Sequence, residues 1–565
     1  MWQIALVLGI YLPLVIVVGH YLYHVTMQQK TWMDPVMNRI DHAIYKISGI
    51  KNNNMTGKQY VSALILSNAV MVFVGYIILR IQSSLFLNPN GIGNMEETLS
   101  FNTIISFMTN TNLQHYSGES GLSYLAQMLV ITFMMFTSAA TGYAACMAFC
   151  RRLVANTDTL GNFFVDLVRV TTRVLIPIAT IVALLLVFQG SPQTFHSNET
   201  VHTIEGKMQD IALGPVASLE SIKHVGTNGG GFNGANSTTP YENPTVISNI
   251  IELLSMMLLP GACVVAFSLM VVKRKKKKTI FGKQGLIIFA AMGFLFLIGL
   301  TTCYLAELAG NPIIDKLGIT QDLGSMEGKE MRFGIAQSAL FTTVTTAFTT
   351  GTVNNMHDTL TPIGGMVPLF NMMLNVVFGG KGVGLMNMMM YVMLTIFIAC
   401  LMIGRTPQFL GKKIEEKEMK LIALCILIHP AIILGFSALA VSTTAGMNGI
   451  TNPGAHGLSQ VLYEYASSSA NNGSGFEGLS DNSTFWNITT GLAMFFGRYL
   501  SIIIQLAIAS LLAKKVLHNE SVGTLKTDNA MFAFMLVAIV LMIGALTFLP
   551  ALALGPITEH LQIRS

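Results

Sequence analysis

The segment Gly226-Thr227-Asn228-Gly229-Gly230-Gly231 interrupts a chain that is otherwise rich in apolar residues. It lies in a long connection between two apolar stretches, and three other long connections close with similar small polar residues. These three segments are Thr109-Asn110-Thr111-Asn112, Phe348-Thr349-Thr350-Gly351-Thr352-Val353-Asn354 and Ala470-Asn471-Asn472-Gly473-Ser474-Gly475. One such segment is typical of a turn, but four at equivalent positions indicate an internal repeat.

The composition of the chain indicates a membrane protein. Of its 565 residues, 52% are hydrophobic and only 11% are charged, whereas soluble domains average about 25% charged residues. The net charge is only +5, which argues against binding to nucleic acid. The six cysteines form no C-x-x-C pair, so the sequence indicates neither a disulfide framework nor a zinc site.

Windows of about 20 apolar residues are long enough to cross a bilayer, and the sequence contains ten of them. They cover roughly residues 3–23, 60–80, 123–146, 168–188, 247–272, 283–304, 385–404, 420–442, 488–512 and 530–552. We therefore predict an all-α polytopic membrane protein with ten transmembrane helices.

The charges between the predicted spans alternate from one connection to the next. Lys and Arg outnumber Asp and Glu in segments 24–59, 147–164, 273–284, 405–420 and 513–528, whereas acidic residues dominate the opposite connections. Basic loops stay in the cytoplasm. Both termini are therefore predicted to lie outside the cell.

The four small polar segments are rich in oxygen atoms but contain no carboxylate. Thr, Asn and Gly offer hydroxyl and carbonyl oxygens, and glycine lets the chain turn successive carbonyls inward. Four such segments around one axis would form a ring of oxygen dipoles that replaces the water shell of a monovalent cation. Because Ca²⁺ and Mg²⁺ sites normally contain acidic ligands, the pattern favours K⁺.

Further sequence signatures point to a known family. They are Gly226-Thr227-Asn228-Gly229-Gly230-Gly231-Phe232 with Glu242-Asn243-Pro244, Gly351-x-Val353-Asn354-x-Met356-His357-Asp358, Gly364-Gly365-Met366-Val367-Pro368 and Leu401-Met402-Ile403-Gly404-Arg405-Thr406-Pro407. With these motifs the chain resembles, over essentially its full length, the KdpA family. Its members are the potassium-binding subunits of the bacterial K⁺-transporting P-type ATPase.

The resemblance implies a fold related to potassium channels, with four membrane–pore–membrane repeats around a central selectivity filter. The implied units are residues 1–59 with an extra first span and a cytoplasmic loop, repeats at 60–146, 147–272, 273–404 and 405–512, and residues 513–565 with the last span and an outer tail. The implied K⁺-binding residues are Asn110, Thr111, Asn112, Thr227, Asn228, Gly229, Thr349, Thr350, Gly351, Asn471, Asn472 and Gly473.

The resemblance also implies a function and partners. The expected function is K⁺ binding and translocation in an ATP-driven uptake pump of the bacterial plasma membrane, with K⁺ as the substrate ion and no nucleotide or organic cofactor. The expected partners are the ATP-hydrolysing subunit KdpB, KdpC, a small KdpF-like span and membrane lipids. In the family, K⁺ leaves the filter sideways through a tunnel towards KdpB. The implied tunnel or gating candidates are Gln114, Gly379, Gly380, Lys381, Arg405 and Arg498.

The stretch Leu374-Asn375-Val376-Val377-Phe378-Gly379-Gly380-Lys381 departs from the family pattern. The family often carries a Glu just before the Val-Val-Phe-Gly-Gly turn, whereas this chain lacks that carboxylate and adds Lys381. We expect the turn to break the seventh span and to form a gating loop beneath the filter. Lys381 would then be an electrostatic plug that closes the cytoplasmic route; the alternative is a lysine that reaches towards the membrane interface.

Several charged residues fall within or beside the predicted spans, where charges are costly. For Arg169, Arg173, Glu252 and Arg498 we favour structural ion pairs, with an arginine as the partner of Glu252. Arg498 has a second interpretation, in which it braces the pore loops or repels cations below the filter. His357-Asp358 is interpreted as a loop brace.

Other functions are alternatives to a pump subunit. A passive or symporting K⁺ channel of the Trk/Ktr kind shares the fourfold repeat. A membrane redox enzyme would use Gly229-x-Gly231-x-x-Gly234 as a cofactor loop, but that motif requires a preceding strand. The methionine clusters suit Cu(I) but lack paired Cys or His, so packing is favoured. The chain has no Walker loop and no Asp-Lys-Thr-Gly motif, so it is predicted not to hydrolyse ATP by itself.

Overall fold

The ten predicted spans correspond to ten long apolar helices in a computed structural model that describes residues 2–154, 159–275, 279–518 and 524–565. These helices are Trp2–Thr26, Gly57–Ser84, Tyr124–Val154, Phe163–Gln189, Val246–Arg274, Lys283–Lys316, Gly380–Met402, Glu416–Ser442, Thr484–Ala513 and Ala530–Arg564. The prediction of ten transmembrane helices is confirmed. Parts of three predicted basic loops, at 155–158, 276–278 and 519–523, lie outside the described residues.

The spans differ in how much of their surface other parts of the chain cover. The fifth span is fully buried in its most apolar window, whereas the second is only 17% buried. Large apolar side chains are exposed on peripheral spans, among them Phe73, Phe188 and Leu546. Soluble proteins rarely expose continuous apolar surface of this kind. These faces therefore contact lipid, and the chain is a multi-pass membrane protein.

The first span packs closely against the fifth through glycines. A side chain at Gly19 would overlap Val265, and a side chain at Gly261 would overlap Tyr11. Small residues at such contacts let two helix backbones approach each other, which favours association within a membrane.

Four of the shorter helices in the described part of the chain each lie in a connection that contains a small polar segment. They are Glu97–Met108, Val216–Val225, Gly334–Ala347 and Ala455–Ala470. Each is almost entirely buried, and each ends at the start of one of the small polar segments. The short helices therefore position those segments inside the protein and not on its surface.

The seventh span is interrupted, as expected from its glycine-rich turn. A helix over Pro362–Leu374 ends at Asn375, which adopts a left-handed conformation with φ of 48°. After the turn, the chain becomes helical again over Gly380–Gly382 and Val383–Met402. The predicted break is confirmed, and it leaves an irregular stretch in the interior of the protein.

The remaining elements lie outside the bundle of spans. A helix over Asp34–Ser48 is tied to the fourth span, because Arg173 donates hydrogen bonds to Asp34 at 3.0 Å and to Asp41. The expected structural ion pair of Arg173 is confirmed. Two short antiparallel ribbons complete this part of the fold: Glu199–His202 with Met208–Ile211, and Gln408–Phe409 with Lys412–Lys413.

His456 joins the fourth short helix to two distant parts of the chain. Its Nε2 lies 3.0 Å from Asp358 Oδ1, and its Nδ1 lies 2.9 Å from Glu559 Oε1. Burial alone would lower the pKa of His456, but the hydrogen bonds to Asp358 and Glu559 outweigh burial and raise it to about 10. The imidazolium form therefore donates both bonds at neutral pH, and Asp358 braces the loop that follows the third small polar segment.

We predict that His456→Gln lowers the thermal unfolding midpoint of the purified protein at neutral pH. A hydrogen bond to a charged group contributes about 1.5–3 kcal/mol, and the variant loses two of them. Because the pKa of His456 is raised from 6.5 to about 10 on folding, its contribution is complete below pH 6.5 and is lost as the pH rises through 10. The exposed His202, changed to Gln, is the control. If the difference in thermal unfolding midpoint between wild type and His456→Gln were the same at pH 6 and above pH 10, protonated His456 would not be the source of the stabilisation.

Candidate functional site

The four small polar segments meet at one place inside the bundle. We call residues 109–112, 226–229, 348–351 and 470–473 the apex segments. The backbone N–H of Gly229 donates to Thr111 O at 3.2 Å. A side chain at Gly351 would overlap Asn472 O, and one at Gly473 would overlap Thr111 O. Segments from distant parts of the chain therefore touch one another, with glycine where no side chain fits.

The apex segments share a backbone conformation. The first left-handed position of each segment is held by Asn110, Thr227, Thr349 and Asn471, with φ of 63°, 53°, 50° and 56°. In three segments the residue two places later is also left-handed: Asn112, Gly351 and Gly473. Left-handed conformations are uncommon for residues other than glycine, and their recurrence at equivalent positions indicates a shared structural constraint. This geometry ends each helix and keeps the backbone oxygens of the apex out of regular secondary structure.

The electrostatic field at the apex favours a cation. All four short helices point their C-terminal ends at the apex segments. The C-terminus of a helix carries a partial charge equivalent to roughly −0.5 of an elementary charge. The apex segments themselves contain no acidic or basic side chain. Four partial negative charges therefore face one small volume that is lined by neutral oxygen donors.

All twelve sequence-predicted K⁺-binding residues lie in the apex segments and are buried. Some buried polar atoms here have no hydrogen-bond partner among the described residues: Asn112 Oδ1 and Nδ2, Asn228 Oδ1 and Thr350 Oγ1. Buried polar groups without a partner are rare and are often explained by an unseen ion or water. The donor set at the apex therefore fits a monovalent cation.

Asparagine side chains connect one apex segment to the next. Asn110 Nδ2 donates to Thr227 O at 2.8 Å, and Asn471 Nδ2 donates to Thr111 Oγ1 at 3.0 Å. Asn472 Nδ2 donates to Thr345 O, within the third short helix, at 2.9 Å. These amides therefore fix the spacing of the segments, a role that the sequence analysis did not assign to them.

The broken seventh span places Lys381 directly against the apex. Lys381 Nζ donates to Asn110 O at 2.8 Å and to Asn471 O at 2.6 Å. Its side chain is fully buried, so the alternative of a lysine that reaches the membrane interface is wrong. The neighbouring turn is also in contact: Gly379 N donates to Ala347 O at 2.9 Å, and a side chain at Gly380 would overlap Thr227.

Gln114 lies at the opposite end of the apex segments. Its amide exchanges two hydrogen bonds with the backbone of Gly231, at 3.1 Å and 2.9 Å. It lines a cavity of about 430 Å³ that also contacts Gly351 and Gly473 and includes the acidic residue Asp481. We call this cavity the vestibule.

The other two tunnel or gating candidates differ in position. Arg498 is buried close to Lys381, since a side chain at Gly142 would contact both of them. Arg498 Nη2 donates to Ser138 O at 3.3 Å, and no carboxylate pairs with it among the described residues. The expected ion pair of Arg498 is therefore wrong. Arg405 is exposed beyond the far end of the seventh span, which places it about 30 Å from the turn at 1.5 Å per helical residue.

Glu252 also differs from the expectation. Its Oε2 lies 3.4 Å from His224 Nε2, so the partner is a histidine and not an arginine. Glu220, His224 and Glu252 are close enough to share a metal ion, but Lys223 Nζ lies 2.9 Å from Glu220 Oε2 and already supplies a positive charge. The arrangement is a buried Lys223–Glu220 ion pair with His224 and Glu252 beside it, behind the second apex segment.

A second charged group at the vestibule was missed by the sequence analysis. His115 Nδ1 lies 2.7 Å from Asn487 Oδ1, and its Nε2 lies 3.2 Å from Glu464 and 3.8 Å from Asp481. Burial would lower the pKa of His115, but the charge of Asp481 and the hydrogen bond to Glu464 raise it to about 9. A protonated histidine is a poor metal ligand. These residues therefore form an ion pair network, and the apex is the better cation site.

Known proteins were compared with the chain. The family described as potassium-transporting ATPase A subunit, KdpA, matches residues 5–561. A potassium-transporting ATPase potassium-binding subunit from Clostridium acetobutylicum is 57% identical over 562 residues, 99% of each chain. A second, from Staphylococcus aureus, is 54% identical over 563 residues, all of both chains. Among solved structures, the potassium transporter TrkH from Vibrio parahaemolyticus is 13% identical, with a TM-score of 0.48 over 87% of this chain and 97% of that chain. The chain belongs to the KdpA family of potassium-transporting ATPase A subunits.

Proposed function

We propose that this chain is the potassium-binding and translocating subunit of an ATP-driven K⁺ uptake pump. The observation that carries the proposal is the convergence of four apex segments, each at the C-terminal end of a buried helix. Neutral oxygens together with helix C-termini suit a monovalent cation. The family and the names of the relatives indicate potassium and an ATPase.

In this proposal the ion enters through the vestibule. Asp481 lines this cavity, and an acidic side chain at the entrance raises the local concentration of cations. The ion then exchanges its water shell for the backbone and hydroxyl oxygens of the apex segments. The proposed ligands are those of the sequence analysis: Asn110, Thr111, Asn112, Thr227, Asn228, Gly229, Thr349, Thr350, Gly351, Asn471, Asn472 and Gly473.

The orientation follows from the charge of the loops. Basic connections face the cytoplasm, so we place both termini and the vestibule outside the plasma membrane. The four units at 60–146, 147–272, 273–404 and 405–512 are then repeats, each contributing one short helix and one apex segment.

The ATPase partner is proposed to receive the ion sideways. A cavity of about 40 Å³ adjoins Asn471 and Arg498 and extends between the seventh, eighth, ninth and tenth spans. A volume of about 10–15 Å³ is enough for a water molecule, so this cavity suits a small hydrated species next to the apex. KdpB is the proposed receiver, with KdpC and a small KdpF-like span completing the complex.

We predict that Gly351→Ala weakens Rb⁺ or K⁺ binding by the purified protein about tenfold or more, which corresponds to about 1.4 kcal/mol. Gly351 has φ of 95°, and a Cβ atom there would overlap Asn472 O, so the ring must widen. Gly293→Ala is the matched control, because nothing lies within 4 Å of a Cβ atom at that position. Binding of radioactive Rb⁺ is measured for folded wild type and for both folded variants. Wild-type affinity in a folded Gly351→Ala variant would contradict the site.

We further predict that an ATP-hydrolysing membrane subunit co-purifies with this chain at fixed stoichiometry and that K⁺ stimulates its ATP hydrolysis. Gly229→Asp puts a carboxylate into the neutral ring, so discrimination against Na⁺ should fall and the K⁺ concentration for half-maximal stimulation should rise. The measurement is ATP hydrolysis as a function of K⁺ and Na⁺. Rapid passive K⁺ flux through the chain alone, with no ATPase attached, would instead indicate a channel.

A further inference from the structure

Lys381 occupies an unusual environment for a lysine. Its side chain is fully buried, and its Nζ lies 2.8 Å from Asn110 O and 2.6 Å from Asn471 O. No carboxylate pairs with Lys381 in the described parts of the chain. A buried ammonium normally requires a counter-charge, so something else must stabilise this one.

The two carbonyl groups that accept from Lys381 belong to the apex. Asn110 and Asn471 lie just beyond the first and fourth short helices, which end at Met108 and Ala470, and both are left-handed. Their oxygens therefore lie at the negative ends of two helix dipoles, where a positive charge is favoured. This position has the chemistry of a monovalent cation site, because it combines neutral carbonyl oxygens with negative helix ends.

The backbone around Lys381 is held in place from several directions. Lys381 N donates to Thr227 Oγ1 at 3.0 Å, which links the turn to the second apex segment. A side chain at Gly380 would overlap Thr227, and one at Gly382 would overlap Cys146. Lys381 itself is left-handed, with φ of 47°. The turn is therefore fitted closely under the apex, and it aims the ammonium at the carbonyl ring.

We propose that the ammonium of Lys381 occupies the innermost cation position of the apex as a tethered ion. This inference rests on the proposed function. An incoming K⁺ can fill the positions nearer the vestibule, but the innermost position is already taken by a charge that cannot leave. Motion straight through to the cytoplasm is thereby blocked, and an ion at the apex leaves only through the lateral cavity beside Asn471 and Arg498.

The test replaces Lys381 with Ala in the full chain reconstituted alone into vesicles. Without the tethered charge, passive influx of radioactive Rb⁺ is expected to rise about tenfold or more, because a hydrated pathway replaces a bound cation. The control is Lys420→Ala, which removes a lysine with 74% of its side chain exposed. Vesicles with Lys381→Ala that are as tight as wild-type vesicles would overturn the inference.

A chemical rescue separates a tethered ion from a structural brace. Propylammonium reproduces the part of the lysine side chain that Lys381→Ala removes, so it should reduce the Rb⁺ leak of that variant. Tetramethylammonium, which has no N–H group to donate, should not. A leak that propylammonium leaves unchanged would show that Lys381 acts only by packing and would overturn the inference.

Ion counting keeps the inference separate from the function on which it rests. Lys381→Met keeps an unbranched side chain that is one atom shorter and removes the charge, and it is expected to bind one more Rb⁺ per chain than wild type. Equal stoichiometry in wild type and Lys381→Met would overturn the tethered ion and leave the K⁺ site standing. If neither protein prefers Rb⁺ to Na⁺, the proposed function itself fails.

Discussion

An ion that loses its water shell inside a membrane must be stabilised by fixed protein oxygens instead. In this chain, the C-termini of four helices point at the apex, where such an ion would bind. Each short helix is followed within two residues by a left-handed residue such as Asn110 or Asn471, which frees the following oxygens from helical hydrogen bonds. Glycines at 229, 351 and 473 let the segments touch. The ten spans hold these four helix ends at a common centre.

The charges around the apex are arranged unequally. The apex segments are neutral, whereas the vestibule carries the acidic residue Asp481, and the inner end carries Lys381 and Arg498. A cation is therefore attracted from one side and opposed from the other. Neutral oxygens hold a cation less strongly than carboxylates hold a divalent ion. Such ligands are consistent with a site that must also release its ion.

Composition and length were enough to predict the spans, because a bilayer requires about 20 apolar residues per helix. The apex segments were also predictable, since the same small polar pattern occurs four times, whereas the individual residues within them were implied by the family resemblance. The partners of individual side chains were not predictable. His115 and Glu464, for example, are 349 residues apart, and no local pattern connects them. For the same reason, the sequence wrongly predicted an arginine as the partner of Glu252 and a carboxylate as the partner of Arg498. Lys381 was suspected from its turn, but only the structure shows which two carbonyls it contacts.

The central claim is that a potassium ion binds where the four apex segments meet. Anomalous diffraction from crystals of the complex grown in Rb⁺, recorded at the Rb absorption edge, locates such an ion directly. A peak enclosed by the backbone oxygens of the apex segments, on the vestibule side of Lys381 Nζ, is expected. Rb⁺ peaks confined to the carboxylates of the vestibule, with the apex empty at saturating Rb⁺, would contradict it.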